Sequence, residues 1–227
     1  MHRTRRLRLG FISIIVGAVS VIRSVGHTRY IMGYSLSWAA VKGGTPAAVL
    51  EALALRGTGA TEEIPESEIT GAALPGGWYL VMSQRDCLEF TKDKVLEELS
   101  SLGEVVTCFV EEHVVCSLAA CWHGRQLIWS VYHNSGGRGG NLHLDIKGEP
   151  PPAFAEIRER LTSEQEAAGG KRAGVDVIFD VPVELARSVT GYRHDEEIPE
   201  LSKLAFEVLA RTQPPPKTSW FKKLLRI

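Results

Sequence analysis

Residues 105–147 read VVTCFVEEHVVCSLAACWHGRQLIWSVYHNSGGRGGNLHLDIK, and the pairing of this stretch with itself decides the fold. Apolar runs at 105–110, 113–122, 127–133 and 141–147 alternate with short polar or glycine-bearing segments, the pattern of consecutive antiparallel strands. Gly124 and Arg125 close the middle hairpin, placing Trp122 opposite Leu127, Ala120 opposite Trp129 and Leu118 opposite Val131. If Asn134 faces Asn141 in the next hairpin, Val131 meets Leu144 and Trp129 meets Ile146. Both hairpins then agree on one apolar face, made of Leu118, Ala120, Trp122, Leu127, Trp129, Val131, Leu142, Leu144 and Ile146. A slip of one residue would exchange the two faces of a strand, so this agreement specifies the register. The opposite face carries Ser117, Ala119, Cys121, Ser130, Tyr132, His143 and Asp145. The segment SGGRGG at 135–140 joins two antiparallel strands instead of leading into a helix. It therefore reads as a hairpin tip and not as a phosphate cradle.

Working outward, 34–41 reads as a strand, and Thr45 caps a helix that carries Pro46 in its first turn and stops at Gly57. Residues 59–77 mix acids, glycine and proline without periodicity and read as an exposed loop; 78–82 is a compact apolar strand, and 92–102 a helix stopped by Gly103. Beyond the proline triplet at 150–152, Phe154, Ile157 and Leu161 give a helix over 153–167 an apolar side that can cover the meander. A strand at 175–179, a helix from Pro182 to 189 and a last helix at 201–209 complete the reading. The expected architecture is α+β, an antiparallel β-meander packed against helices on one face.

Three segments divide the 227 residues: a basic-hydrophobic leader or upstream extension at 1–31, a single α+β domain at 32–212, and a proline-rich linker with a basic aromatic tail at 213–227. The run FISIIVGAVSVI at 11–22 follows an arginine cluster, like a signal peptide, yet Arg23 interrupts the neutral region that cleavage requires. As a helix, the tail gathers Trp220 and Phe221 away from Lys222 and Lys223, which fits weak contact with an anionic membrane. With 26 Lys and Arg against 27 Asp and Glu, no overall field draws the chain to nucleic acid. The four cysteines lack zinc spacing and read as reduced thiols, so the expected compartment is the cytoplasm, with export or anchoring through 1–31 as the alternative.

Several stretches carry a resemblance: MGYSLSWAAVKG at 32–43, GWY at 77–79, VEEHV at 110–114, WSVYH at 129–133, PVELA at 182–186 and TGYRHD at 190–195. In these the chain resembles a family of uncharacterised bacterial proteins from Met32 to about Asp195. The resemblance implies that 1–31 is an extension, and it transfers no catalytic role.

Candidate chemistry is sparse. Glu111, Glu112 and His113 combine two carboxylates with an imidazole, the groups of acid–base or metal chemistry, without the spacing of a metalloprotease helix. His133 falls opposite Cys116 in the expected register, a Cys–His pair for a hydrolase or a core histidine beside a small thiol. Ser130, Tyr132, His143 and Asp145 form a polar cluster on the sheet, and Arg193 and His194 follow the stop of the 182–189 helix. These six residues are candidates for binding. The sequence points to no cofactor and no metal. It favours a non-enzymatic module that binds another protein, in the manner of an immunity-type partner, over a small metal-dependent or Cys/His hydrolase and over a peripheral membrane protein.

Overall fold

The structure is a computed structural model that describes residues 19–24, 27–84, 89–196 and 205–212. The chain divides into two compact units, 1–34 and 35–227. In the first, β1 (Val19–Ser24) and β2 (His27–Met32) pair antiparallel, with Val19 opposite Met32. The remainder of the proposed leader and the whole tail, including Trp220, Phe221, Lys222 and Lys223, lie outside the described residues.

The second unit is built on a nine-stranded, wholly antiparallel sheet. Its elements are β3 (Ser35–Lys42), α1 (Pro46–Ala52), β4 (Leu55–Glu62), β5 (Ile69–Leu74), β6 (Trp78–Ser83), α2 (Asp93–Leu99), β7 (Glu104–Glu111), β8 (Cys116–His123), β9 (Gln126–Asn134), β10 (Asp145–Gly148), α3 (Ala153–Ala167), α4 (Asp180–Thr190) and β11 (Phe206–Arg211). Across the sheet the strands run β10-β9-β8-β7-β3-β6-β5-β11-β4. The class is α+β, and β7 to β10 form the antiparallel meander.

The meander packs against α4, which lies on β7, β8 and β9, with α3 packed on α4. At the opposite face, Ala39, Val41, Tyr79, Val81, Val105, Ala120 and Trp122 form a core with Val49 of α1, Leu96 and Leu99 of α2, and Phe90. Thr45 caps α1 by accepting a hydrogen bond from the Ala48 N–H at 3.2 Å, and Pro46 takes the first helical position.

One turn and one bulge position the meander. Gly124 and Arg125 both have positive φ, 56° and 65°, the conformation of a two-residue hairpin whose twist matches its strands. Trp122 pairs with Leu127 as the sequence predicts, but Cys121 pairs with Trp129, leaving Ile128 as an extra residue in β9. From there the register differs by one from expectation: Ala120 faces Ser130, Leu118 faces Tyr132, and Ser117 faces His133. In the next hairpin Val131 meets Ile146 rather than Leu144, because Gly140–Leu142 form a 3-10 turn before β10 starts at Asp145.

Three segments differ in type. The expected loop at 59–77 contains half of β4 and all of β5, and the expected helix at 201–209 contributes instead to β11, which inserts between β5 and β4. The expected strand at 175–179 is an irregular approach to α4. Among the described residues, no helix is long and apolar enough to cross a membrane.

Trp38 anchors the α4 side of the sheet, 1% exposed and edge-on to Tyr192 at 5.6 Å. Its indole N–H finds no hydrogen-bond partner among the described residues. Trp38→Ala is expected to cost about 3–5 kcal/mol. Trp38→Phe keeps most of the packing and removes a buried, unsatisfied donor, so it should cost no more than about 1 kcal/mol. Urea denaturation of the two variants checks the contrast.

Candidate functional site

The bulge at Ile128 separates residues that the sequence placed together. Trp129, Val131 and His133 turn toward α4 with Ser117, Ala119 and Cys121, while Ser130 and Tyr132 turn to the other face with Leu118 and Ala120. Cys116 therefore sits across from Asn134, not His133, and the two are on opposite faces of the sheet. The expected Cys–His pair does not form, because one extra residue in β9 reverses the side on which His133 projects.

His133 is fully buried in a hydrogen-bonded setting. Its Nδ1 lies 2.8 Å from the carbonyl oxygen of His143, so that nitrogen carries a proton and donates. Its Nε2 lies 3.0 Å from Oδ2 of Asp176. Both ring nitrogens are thus engaged. The other oxygen of Asp176 accepts from the Phe179 N–H at 3.2 Å, and the Ser117 hydroxyl donates to the Phe179 carbonyl at 2.6 Å. His133 is thus a structural tie between the sheet and the approach to α4.

Glu111 and His113 do meet. Glu111 ends β7 and His113 lies in the turn that follows, with Nδ1 2.7 Å from Oε1 of Glu111. The Ser35 hydroxyl donates to Oε2 of the same carboxylate at 2.5 Å. Burial pushes the Glu111 carboxyl up, but the bonds from Ser35 and His113 outweigh it and hold the group below the usual carboxylate range. Acyl transfer requires a nucleophile hydrogen-bonded to the imidazole, whereas Ser35 bonds the carboxylate. Glu112 is an exposed residue of the turn. Among the described residues, no group of three His, Cys, Asp or Glu side chains is arranged to hold a metal ion.

Cys108 and Cys121 are poorly disposed for nucleophilic work. Burial, reinforced by the Glu104 carboxylate, pushes Cys121 up to about 12, and burial pushes Cys108 well above its ordinary value. Cys116 accepts a weak hydrogen bond from the Tyr132 hydroxyl at 3.8 Å. Burial, then this contact with Cys116, raises the Tyr132 phenol. Cys108, Cys116 and Cys121 are all free thiols.

Four of the six binding candidates converge. Tyr132 lies across from Asp145 and edge-on to His143 at 5.8 Å, and Ser130 is two residues along the same face of β9. Nδ1 of His143 accepts from the Asn134 N–H at 3.1 Å, which fixes the ring as a neutral tautomer with its proton on Nε2. Ser130, Tyr132 and Leu118 are half-buried, and Asp145, Lys147 and Leu127 are exposed. Arg193 and His194 belong elsewhere, beyond the C-terminus of α4. Arg193 is committed to the chain's own acids: Nη2 to Asp180 at 2.9 Å and Nε to Asp195 at 2.7 Å. Burial disfavours its charge, yet the Asp195 and Asp180 bonds more than restore it. Sequence reasoning missed Asp176, Gln165 and Asn141, the polar side chains that hold 170–179. Only Asp176, an acid within GVDVIF at 174–179, leaves a trace in the sequence; Gln165 lies between two glutamates and Asn141 follows two glycines.

Compared with known proteins, the chain matches no family model, no curated protein and no solved structure. The resemblance borne by 32–195 therefore rests on its residues alone.

Two predictions follow from these buried groups. Asp176→Ala leaves Nε2 of the fully buried His133 ring and the Phe179 N–H without this partner and should cost about 1–3 kcal/mol for each in denaturant melts. Asp176→Asn, whose amide can donate to a neutral Nε2 while its oxygen accepts from Phe179, should cost less than half as much. His194 is buried at 3% side-chain exposure, and burial pushes its imidazole down to about 4, against the pull of Asp195. The unfolded chain then binds this proton near pH 6.5 and the folded chain only near 4. Stability is full above 6.5 and falls as the pH drops through that window, by about 3 kcal/mol at most. His194→Leu should flatten that slope in melts recorded from pH 7.5 to 4.

Proposed function

We propose that the chain is a non-enzymatic module that binds another protein through the half-open polar face of β8, β9 and β10. The observation that carries this reading is the convergence of Ser130, Tyr132, His143 and Asp145 with partly exposed Leu118 and exposed Leu127 on that face. Protein interfaces mix an aromatic anchor with apolar and polar neighbours in this way. Tyr132 supplies the anchor, a large amphipathic ring with its hydroxyl near Cys116. By fold-level analogy alone, an immunity-type partner of another bacterial protein is the form of such a role that a small α+β chain suits. Free, buried thiols at Cys108, Cys116 and Cys121 favour a reducing compartment such as the cytoplasm.

The catalytic alternative centres on Glu111 and His113, whose 2.7 Å contact supplies an oriented imidazole. It ranks second because the neighbouring hydroxyl of Ser35 is bonded to the acid and not to the base.

Native co-purification of the tagged full chain tests the first reading. A stoichiometric second protein is expected, and Ser130→Arg, which sets a bulky charge on the half-open face, should reduce its recovery at least tenfold. Recovery of the chain alone under gentle conditions refutes the reading.

A further inference from the structure

Among the described residues, β10 is an outermost strand of the sheet, paired on one side with β9. All four of its residues, Asp145, Ile146, Lys147 and Gly148, are exposed. Ile146 is 37% exposed, and Leu127 and Ile128 of the adjoining β9 are 39% and 43% exposed, a local concentration of uncovered apolar side chains. The other outermost strand, β4, is treated differently. Its pairing with β11 is broken by an irregularity between Glu207 and Leu209, and Gly59 has a φ of +82°. Bulges and kinks of this kind turn an edge away from further pairing. The pairing of β10 with β9 runs without a break.

We propose that β10 pairs antiparallel with β10 of a second copy of this chain, Ile146 facing Ile146 across a two-fold axis. The sequence of the strand selects this register. When Ile146 lies opposite its own copy, Asp145 of each chain falls opposite Lys147 of the other, so two opposite-charge pairs form together with one apolar pair. Centring on Asp145 or Lys147 sets like charges face to face, and centring between Ile146 and Lys147 leaves Ile146 opposite a cation. Directly opposed residues in an antiparallel pair share a face, and opposite charges there are favourable while like charges are unfavourable.

Asp145 and Lys147 project on the same side as Tyr132 and Ser130, their β9 neighbours. The pairing therefore joins the polar faces of two copies into one strip, Ser130 and Lys147 of one chain running into Asp145 and Tyr132 of the other. Ile146 projects on the side of Val131. A symmetric contact of this type is self-complementary and closes at two copies. The net charge of −1 opposes self-association only weakly. This proposal does not rest on the reading of the polar face as a binding surface for another protein.

Sedimentation equilibrium of the full chain tests it. Four-residue strands bury little area, so the association is of the weak class. The weight-average mass should climb toward twice the monomer between about 1 and 500 µM. Lys147→Asp and Asp145→Lys, singly, place like charges together twice and should weaken association about tenfold or more. Asp145→Lys combined with Lys147→Asp restores opposite charges across the axis and should restore the dimer. Circular dichroism checks that each variant is folded. A chain that stays monomeric, higher oligomers, dimerisation indifferent to both single reversals, or a folded double variant that fails to regain it would each overturn the proposal.

Discussion

Because β3 is hydrogen-bonded along both edges, to β7 and to β6, and its residues from Leu36 to Val41 are buried, nearly every other element is placed by reference to it. Its alternation sends Trp38 toward Tyr192 and the α4 side, and Ala39 and Val41 into the core beneath α1 and α2. Polar atoms on and beside the strand are used as fasteners. The Ser37 hydroxyl accepts from the Phe90 N–H at 3.2 Å, and the Thr107 hydroxyl, directly across from Ala39, lies within hydrogen-bonding distance of the carbonyls of Trp38 and Phe90. Phe90 is thereby held over the sheet ahead of α2, although its segment is a single 3-10 turn. A buried backbone group without such a partner would cost more than the bond contributes, so side-chain hydroxyls replace the ladder where no strand runs.

The same economy governs residues 170–179. Among the described residues this segment has no strand partner, yet it crosses the flank of the meander and must deliver the chain into α4. Gln165, fully buried in α3, donates to the carbonyls of Gly170 and Val175 and accepts from the Val177 N–H. Asn141 donates to the carbonyls of Ala173 and Val175, and Asp176 answers His133. Each of these groups is polar and largely enclosed, which is tolerable only because its bonds are made. His133 belongs to this set. Its burial, its two satisfied nitrogens and the placement of Cys116 on the other face assign it to architecture rather than chemistry.

How much of this was legible in the sequence depends on how many faces of a segment are buried. β3, β6, β7 and α3 are readable because continuous apolar runs or helical spacing leave one interpretation. β4 is not, since Leu55–Glu62 holds two glycines and few apolar residues and becomes a strand by pairing with β11. β11 itself, FEVLAR, contains good helix formers and is extended because the gap between β5 and β4 accepts it, a case of tertiary context overriding propensity. Arg193, His194 and Asp195 were visible as a polar cluster, but Asp180, the other carboxylate on Arg193, comes from the far end of α4. Proximity of that kind has no signature in a linear reading.

The register of β9 shows the same limit and also explains where the surface comes from. Apolar alternation fixes a register only if one face is wet, and in β8 both faces are substantially enclosed, so Trp122 opposite Leu127 was compatible with either continuation. The extra residue, Ile128, decides it. Without the bulge, Ser130 and Tyr132 would turn toward α4 and Trp129 and Val131 toward the half-open side, placing a hydroxyl and a phenol against the helix and two large apolar groups near solvent. Burying those polar groups without partners would cost about 1–3 kcal/mol each, and exposing the apolar pair would forfeit a comparable amount. The inserted residue therefore satisfies the α4 packing and, by the same geometry, sets Ser130 and Tyr132 beside Asp145 and His143. The polar face follows from a packing requirement on the other side of the sheet.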